Sequence, residues 1–408
     1  MHIESSTGKS QLPRIKKFAE ILDGSLRITN AVQSLNNEVL DTIKRKNAAT
    51  LEEFLKGLKM VSNPDIILPL PNETKKTFID GLNRLLDTRA QIRFSVFHAL
   101  LLSDTEMNDK GDTTKHKLKV KYRQHQNLTG KVAGKFFCET ERNIVQTSTI
   151  SQEEVFEARK YVVLLEAMIR EEPLKEIFYY LDSKNIDRSK LTMSMYNNLN
   201  NSPIEIKECL DEYISKIDSE TFDTEEEVLK FMEKHIEDYQ YGRKGGDLLR
   251  YGQKLWIDHA NSFIQWTFQH LKIVVGNSGK IKKEIDNLYE FIKFVYYERF
   301  HTPIKQSVIK KEFDFDILRW MENFPVQKLD DFEKKVIYNF NETRFSNLTK
   351  KDIWNSFGFN RDKNTEYRSH SLNRMYISIT RRRITRDDNI PVVQKLSLKA
   401  NFAEKVGL

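Results

Sequence analysis

The first hundred residues alternate short apolar runs with segments of helical period, and this alternation restricts that part of the chain to an α/β arrangement. Leu12–Leu22 carries apolar residues at helical spacing and stops before Asp23-Gly24. Ser25–Gln33 is short and strand-like, with Leu26, Ile28 and Val32 on one parity. A helix is predicted over Asn37–Lys46, and a second from Thr50, where Thr50 and Glu53 have capping-box spacing. Pro64–Leu68 reads as a buried strand, Glu73–Leu86 as a helix, and Gln91–Leu102 as a third strand. Run-like strands between helices fit a parallel sheet buried on both faces. Three such strand–helix units are too few to close an eight-stranded barrel.

Beyond Asp104 the pattern changes. A polar stretch leads to a strand-like Leu118–Arg123 and a hairpin region around Gly130–Gly134. Ser151 and Glu154 form a second capping-box pattern, predicted to open a helix running through Leu181. Further helices are predicted over Ile204–Ile217, Thr224–Tyr239, Gly246–Val275 and Lys280–Phe300, and the tail from Lys310 mixes helices with a basic segment. The organisation expected is residues 1–110 as α/β, 111–182 as an extension with a hairpin and a long helix, and 183–408 as mainly α. The boundary is expected near 182–203.

The composition excludes several classes. No apolar run approaches the roughly 20 residues that span a bilayer, and Met1–Lys9 lacks the hydrophobic core of a signal peptide. The expected location is the cytoplasm, where the two cysteines, Cys138 and Cys209, stay reduced. Two distant cysteines make neither a CxxC zinc site nor a cysteine-rich iron–sulfur site. The net charge of +7 is mild for 408 residues and does not by itself imply nucleic acid. Thr7-Gly8-Lys9-Ser10 lacks the earlier glycine and the preceding strand of a phosphate loop. His259 and His270 sit in a Trp/Phe-rich segment that reads as helix packing.

Two regions carry candidate function. Polar residues fall where parallel strands end: Gln33-Ser34, Asn72-Glu73-Thr74 and Ser103-Asp104-Thr105-Glu106. Ligands bind at such strand ends, and plain helix capping accounts for the same residues equally well. The second region is Arg374–Arg386, where five arginines accompany Tyr376. Arg374, Arg381, Arg382 and Arg383 suit phosphates and Tyr376 suits base stacking; a solvated basic face is the competing account.

Four ordered segments, AVQSLNNEVLDTIKRKN, TLEEFLKGL, DIILPLPNET and FHALLLSDTEMN, resemble the second half of a radical S-adenosylmethionine (radical SAM) barrel. The similarity is to the group whose members usually carry an N-terminal cobalamin-binding domain. In that group "QS" closes strand four, a "D-x-I-x-G-L-P-G-E-T" turn closes strand five, and "L-x-x-G-T-E-M" closes strand six. VKYRQHQNLTGKV, ERNIVQTSTIS and EEVFEARKYVVLLE resemble the region after the barrel, while LYEFIKFVYYERF and FDFDILRWME are similar to the accessory C-terminal part. The resemblance covers about residues 5–180 and extends more loosely through the helical tail.

The resemblance implies a partial (β/α) barrel followed by a helical accessory domain, and a parent class that uses S-adenosylmethionine, a [4Fe–4S] cluster and, in many members, cobalamin. It places Gln33 and Ser34 near the ribose or carboxylate of S-adenosylmethionine and pairs Arg45 with the methionine carboxylate. Ile67, with its strand, approaches the adenine, Glu73 caps the next helix, and Leu101 and Leu102 wall the adenine; no catalytic residue or metal ligand is implied. The chain departs from the pattern at Pro69 and Asn72, where the family has glycines, at Asp104, and in a short Leu58–Asp65 connection. Proline removes a backbone donor where close approach is needed. The CxxxCxxC cluster loop and the GGE-like segment have no counterpart within these 408 residues.

The expectation is therefore the C-terminal portion of such an enzyme: the product of a split or frameshifted gene, a misassigned start, or half of a two-chain enzyme. Alone it would be inactive and bind none of these cofactors, with the missing N-terminal half as its partner. An unpaired edge at the first strand would favour oligomerisation. The alternative is a non-enzymatic helical protein that binds nucleic acid or another protein through its basic C-terminal segment.

Overall fold

A computed structural model describes residues 2–5, 17, 21, 27–45, 61–93, 95–102, 110–170, 172–240, 248–296, 308–323, 327–341 and 383–386. The fold is α/β with a mixed sheet. In chain order, strands β1 (His2–Ser5) and β2 (Arg27–Gln33) lead to helix α1 (Asn37–Thr42), then β3 (Val61–Leu68) and α2 (Lys75–Asp87). The predicted third strand is two pieces, β4 (Gln91–Ile92) and β5 (Ser95–Leu100). Helix α3 (Lys110–Lys115) precedes a long hairpin of β6 (Lys119–Val132) and β7 (Lys135–Gln146). Its turn residues Ala133 and Gly134 have φ of 49° and 77°, the paired positive values that match the twist of two-residue hairpins.

Ser151 and Glu154 form the capping box that their spacing predicts: Glu154 N–H donates to Ser151 Oγ at 3.2 Å and Ser151 N–H to Glu154 Oε2 at 2.9 Å. The helix they open, α4 (Gln152–Ile169), is shorter than predicted, and α5 (Lys175–Ser183) follows separately. Pro173 explains the break, because it has no N–H and keeps the residue before it out of the helical well; Glu172 has φ of 55°. Helices α6 (Arg188–Asn197), α7 (Ile204–Ser219) and α8 (Glu225–Gln240) come next. The single helix predicted over Gly246–Val275 is α9 (Leu248–Asp258) and α10 (Ala260–Val275), divided at His259, whose φ is −132°. Then come α11 (Gly279–Tyr296), β8 (Val308–Phe315), α12 (Ile317–Glu322), β9 (Glu333–Asn341) and β10 (Arg383–Arg386). The predicted helix from Thr50 lies outside the described residues, and Lys17 and Ile21, within predicted Leu12–Leu22, are helical.

The larger sheet has the order β1-β2-β3-β5-β7-β6, with β4 beside β3. Its strands from β1 to β5 are parallel, and β7 and β6 extend it antiparallel. The predicted first strand, β2, is therefore not an open edge: β1, with four residues, pairs along it. Four residues are too few to show a period in sequence, and short edge strands give little surface for unwanted pairing. Beside the sheet, Gly81 of α2 sits where a Cβ would come 2.9 Å from Leu35 Cβ, so the close approach of the helix depends on having no side chain there.

The chain forms two compact units that interleave in sequence. One comprises residues 1–163, 211–247 and 358–363, the other 164–210, 248–357 and 364–408, so the divisions fall inside α4 and α7. The first contains the larger sheet. The second contains helices α5, α6 and α9 to α12 and a three-stranded antiparallel sheet, β10-β9-β8, where sequence periodicity suggested only helices and a basic tail. In this unit Phe291 of α11 is fully buried, with ring centroids 5.8 Å from Phe313, 5.7 Å from Tyr338 and 6.0 Å from Phe340. Its buried charges are matched: Arg188 grips Asp182 through two bonds of 3.1 and 2.7 Å, and buried Glu284 accepts from Tyr180 at 2.5 Å and Lys184 at 2.8 Å.

Candidate functional site

Gln33, Ser34 and Glu73 lie in the first unit at the C-terminal ends of β2 and β3. β2 ends in Gln33, whose φ of 65° turns the chain sharply and brings Ser34 inward. Ser34 Oγ donates to Glu73 Oε2 at 2.6 Å across 39 residues of sequence. Thr77 Oγ1 donates to the other carboxylate oxygen at 2.5 Å, and Thr149 Oγ1 donates to the Glu73 carbonyl at 2.6 Å. Ser34 also accepts from the Asn36 N–H at 3.1 Å. Both Ser34 and Glu73 are buried. The two residues direct their polar atoms at one another and at neighbouring threonines, which is the pattern of a clamp between strand ends.

The remaining candidates divide by location. Glu73 is not the helix cap: Thr74 is the N-cap of α2, in a capping box with Thr77, because a threonine hydroxyl reaches the free N–H groups of its own first turn. Ile67 packs against the buried cluster of Val39, Leu70, Ala99, Leu101 and Ile144. Arg45 is exposed beyond α1, and Leu102, 55% exposed, follows β5. Asp104 and its neighbours lie outside the described residues, as do Arg374, Tyr376, Arg381 and Arg382. Arg383 begins β10 opposite Asn341. In the same strand Arg386 pairs with Asp316 Oδ1 at 3.0 Å, and Tyr338 donates to that oxygen at 2.8 Å. At least one arginine of the basic segment therefore serves the interior of the second unit.

Sequence reasoning missed Arg159 and His98. Arg159 lies on α4 and is only 2% exposed. Its Nη2 donates to the Leu68 carbonyl at 3.2 Å and to His98 Nδ1 at 3.0 Å, with the Phe97 carbonyl at 3.5 Å. The Tyr213 hydroxyl also hydrogen-bonds to it. The guanidinium thus holds the last carbonyl of β3, which the family resemblance sets beside an adenine, and reaches a carbonyl in the middle of β5. As Nδ1 accepts, the His98 proton sits on Nε2. The available sequence signal was positional: Arg159 falls between Val155 and Val162 on the apolar stripe of α4, where an unpaired charge is out of character.

Burial, and then the positive charges of Arg159 and Arg123, push His98 well below its ordinary pKa of 6.5. The unfolded chain therefore takes up this proton first, and stability present above about pH 6.5 falls as pH drops toward the folded-state value. The limiting slope is about 1.4 kcal/mol per pH unit for one proton. His98→Asn keeps an acceptor for Arg159 and removes the titration. Thermal midpoints between pH 7.5 and 5 should fall less in this variant than in the parent; parallel curves would exclude His98 as the source.

Asn143, Gln152 and Pro69 line a small cavity with Arg159 and His98. Of these residues, Arg159 Nε and Asn143 Oδ1 are buried without partners. The site is thus built of one buried cation among neutral acceptors.

No family model matches this chain, and no curated protein matches it. The metal chemistry suggested by the resemblance can be tested on the residues themselves. A [4Fe–4S] cluster needs several thiolates, and the chain has two cysteines. Cys138, on β7, accepts from Thr129 Oγ1 at 3.3 Å, and burial raises its pKa; Cys209 is buried in the second unit. Among the described residues no three His, Cys, Asp or Glu side chains gather to hold a metal ion. The residues present do not fit the cluster. No described helix is long and apolar enough to cross a membrane.

Proposed function

We propose that this chain is the C-terminal portion of a radical SAM enzyme of the cobalamin-binding-domain group: a partial (β/α) barrel and a helical accessory region that serve S-adenosylmethionine binding, with the iron–sulfur cluster supplied by another polypeptide segment. One observation supports the reading above the others. The segments resembling strands four, five and six are β2, β3 and β5, parallel and side by side in that order. Parallel strands following one another in this way occur in (β/α) barrels, as in open parallel sheets, and in both the ligands sit at the C-terminal ends. The "QS" serine and the "ET" glutamate, Ser34 and Glu73, meet at that end at 2.6 Å.

In this reading Gln33 and the exposed Arg45 face the ligand, Arg45 as a partner for its carboxylate, while Ser34 and Glu73 hold the strand ends that form the floor. The chain alone does not cleave S-adenosylmethionine. The test combines the chain with the polypeptide encoded immediately upstream, after asking whether that polypeptide carries CxxxCxxC. The expected result is 5′-deoxyadenosine from the reduced mixture, none from the chain alone, and loss of labelled S-adenosylmethionine binding in Arg45→Ala. Intergenic sequence upstream, or a cluster-loaded mixture that neither binds nor cleaves S-adenosylmethionine, would overturn the reading.

A further inference from the structure

The β6–β7 hairpin and its approach concentrate positive charge. Residues 113–138 contain seven Lys and Arg and no Asp or Glu, so this stretch carries a formal charge of +7, as much as the whole chain. Two of the seven are paired: Arg123 Nε lies 3.2 Å from Glu141, and Lys121 Nζ lies 4.0 Å from Asp223. Lys115, Lys117, Lys119, Lys131 and Lys135 are exposed, and none forms an ion pair among the described residues; Lys119 and Glu153 interact without reaching ion-pair distance. Exposed lysines in the second unit do meet carboxylates, as Lys280 meets Asp330 at 2.7 Å and Lys335 meets Glu312 at 2.8 Å. A run of unmatched cations favours a polyanion as its partner.

The tip of the hairpin adds an aromatic surface. Phe137 is 43% exposed and pairs across the strands with Gly130. A Cβ at Gly130 would fall 2.9 Å from Cε1 and Cζ of the Phe137 ring, so glycine lets the ring lie against the backbone with its other side toward solvent. Lys135, two residues before Phe137, shares its face, and Lys131 follows Gly130 on the neighbouring strand. An exposed ring beside unpaired cations is the chemistry that stacks a base and holds its phosphates. Glu139, two residues after Phe137, is exposed on the same face and opposes an anion there. It opposes a lipid surface more strongly, because burying the Phe137 ring among acyl chains would carry the neighbouring carboxylate in with it.

We propose that the β6–β7 hairpin binds single-stranded nucleic acid, with Phe137 stacking on a base and Lys131 and Lys135 contacting the flanking phosphates. Lys115, Lys117 and Lys119 extend the track for the backbone at the base of the hairpin. The surface uses none of the arginines of Arg374–Arg386. The inference is independent of the radical SAM reading, since it uses neither S-adenosylmethionine nor a cluster.

The experiment is fluorescence anisotropy of a labelled oligouridylate of about 12 nucleotides, titrated with the full chain between about 50 and 200 mM salt. Affinity should fall as salt rises. The double variant Lys131→Gln, Lys135→Gln should reduce the log–log salt slope by about 1.4, because each phosphate contact on a single strand contributes about 0.7. Phe137→Leu keeps an apolar cover over Gly130 and should weaken binding at least about fivefold through lost stacking, an effect that should vanish on an abasic phosphodiester strand. Glu139→Gln should tighten binding. Circular dichroism checks that each variant keeps the parent's fold, and the exposed lysine pair decides the matter if Phe137→Leu does not. An absence of binding, an affinity unchanged in the hairpin variants but lost when Arg381, Arg382 and Arg383 are neutralised, or binding to phosphatidylserine vesicles alone would overturn the proposal.

Discussion

Glu73→Ala should destabilise the first unit by about 2–3 kcal/mol, because hydrogen bonds to a charged group contribute about 1.5–3 kcal/mol each and part of that loss is returned when a buried carboxylate disappears. Ser34 and Thr77 both donate to this carboxylate, so alanine leaves two hydroxyls without their acceptor. Glu73→Gln keeps the shape and one acceptor oxygen, and should cost about 1 kcal/mol. The described tryptophans, Trp256, Trp266 and Trp320, belong to the second unit. Urea unfolding of these variants is therefore followed by far-UV circular dichroism, which includes the first unit. Equal midpoints for parent and Glu73→Ala would mean that the strand-end clamp contributes nothing to stability.

The largest effect is expected in the second unit. Phe291 contributes a fully buried ring that meets three others on β8 and β9. Phe291→Ala removes its apolar burial and leaves a cavity, at a cost of about 3–5 kcal/mol, to which each lost aromatic pair adds about 0.5–1.5 kcal/mol. Phe291→Leu refills most of the volume and should recover more than half of the loss. Tryptophan fluorescence reads this directly, since Trp320 is itself buried in this unit. A urea midpoint within error of the parent for Phe291→Ala would exclude the four-ring cluster as the core of the small sheet.

These expectations rest on features of unequal legibility. The capping box at Ser151 and Glu154 was readable because both partners lie within one turn, and the strand around Ile66–Leu68 because its apolar run is bounded by Pro64 and Pro69. The convergence of Gln33-Ser34 with Glu73 at one sheet edge followed from strand–helix alternation, but their mutual hydrogen bond did not. It depends on the turn at Gln33 and on Thr149, 76 residues beyond Glu73. Pro173 marked a helix end that the strong apolar period around it concealed. Strands β8 and β9 carry lysines and glutamates on their open face, so alternation was diluted and helical patterns nearby prevailed. Arg159 was the least legible: one charge on an apolar stripe acquires meaning only when β3 and β5 bring their carbonyls to it.

The interleaving of the two units has a consequence for how the protein is made. Residues 211–247 complete the first unit, yet they emerge from the ribosome after residues 164–210 of the second. Tyr213 reaches Arg159 and Phe222 bridges to Tyr122 from that late segment. A nascent chain stopped near residue 200 therefore holds the whole larger sheet but lacks the pieces that close over it. Proteolytic or genetic cuts between 182 and 203, the place where a linear reading would divide the molecule, should yield an N-terminal fragment that recovers native protection only when the downstream fragment is added back. Such fragment complementation follows from units whose segments alternate along the chain, so that no single cut frees either one whole.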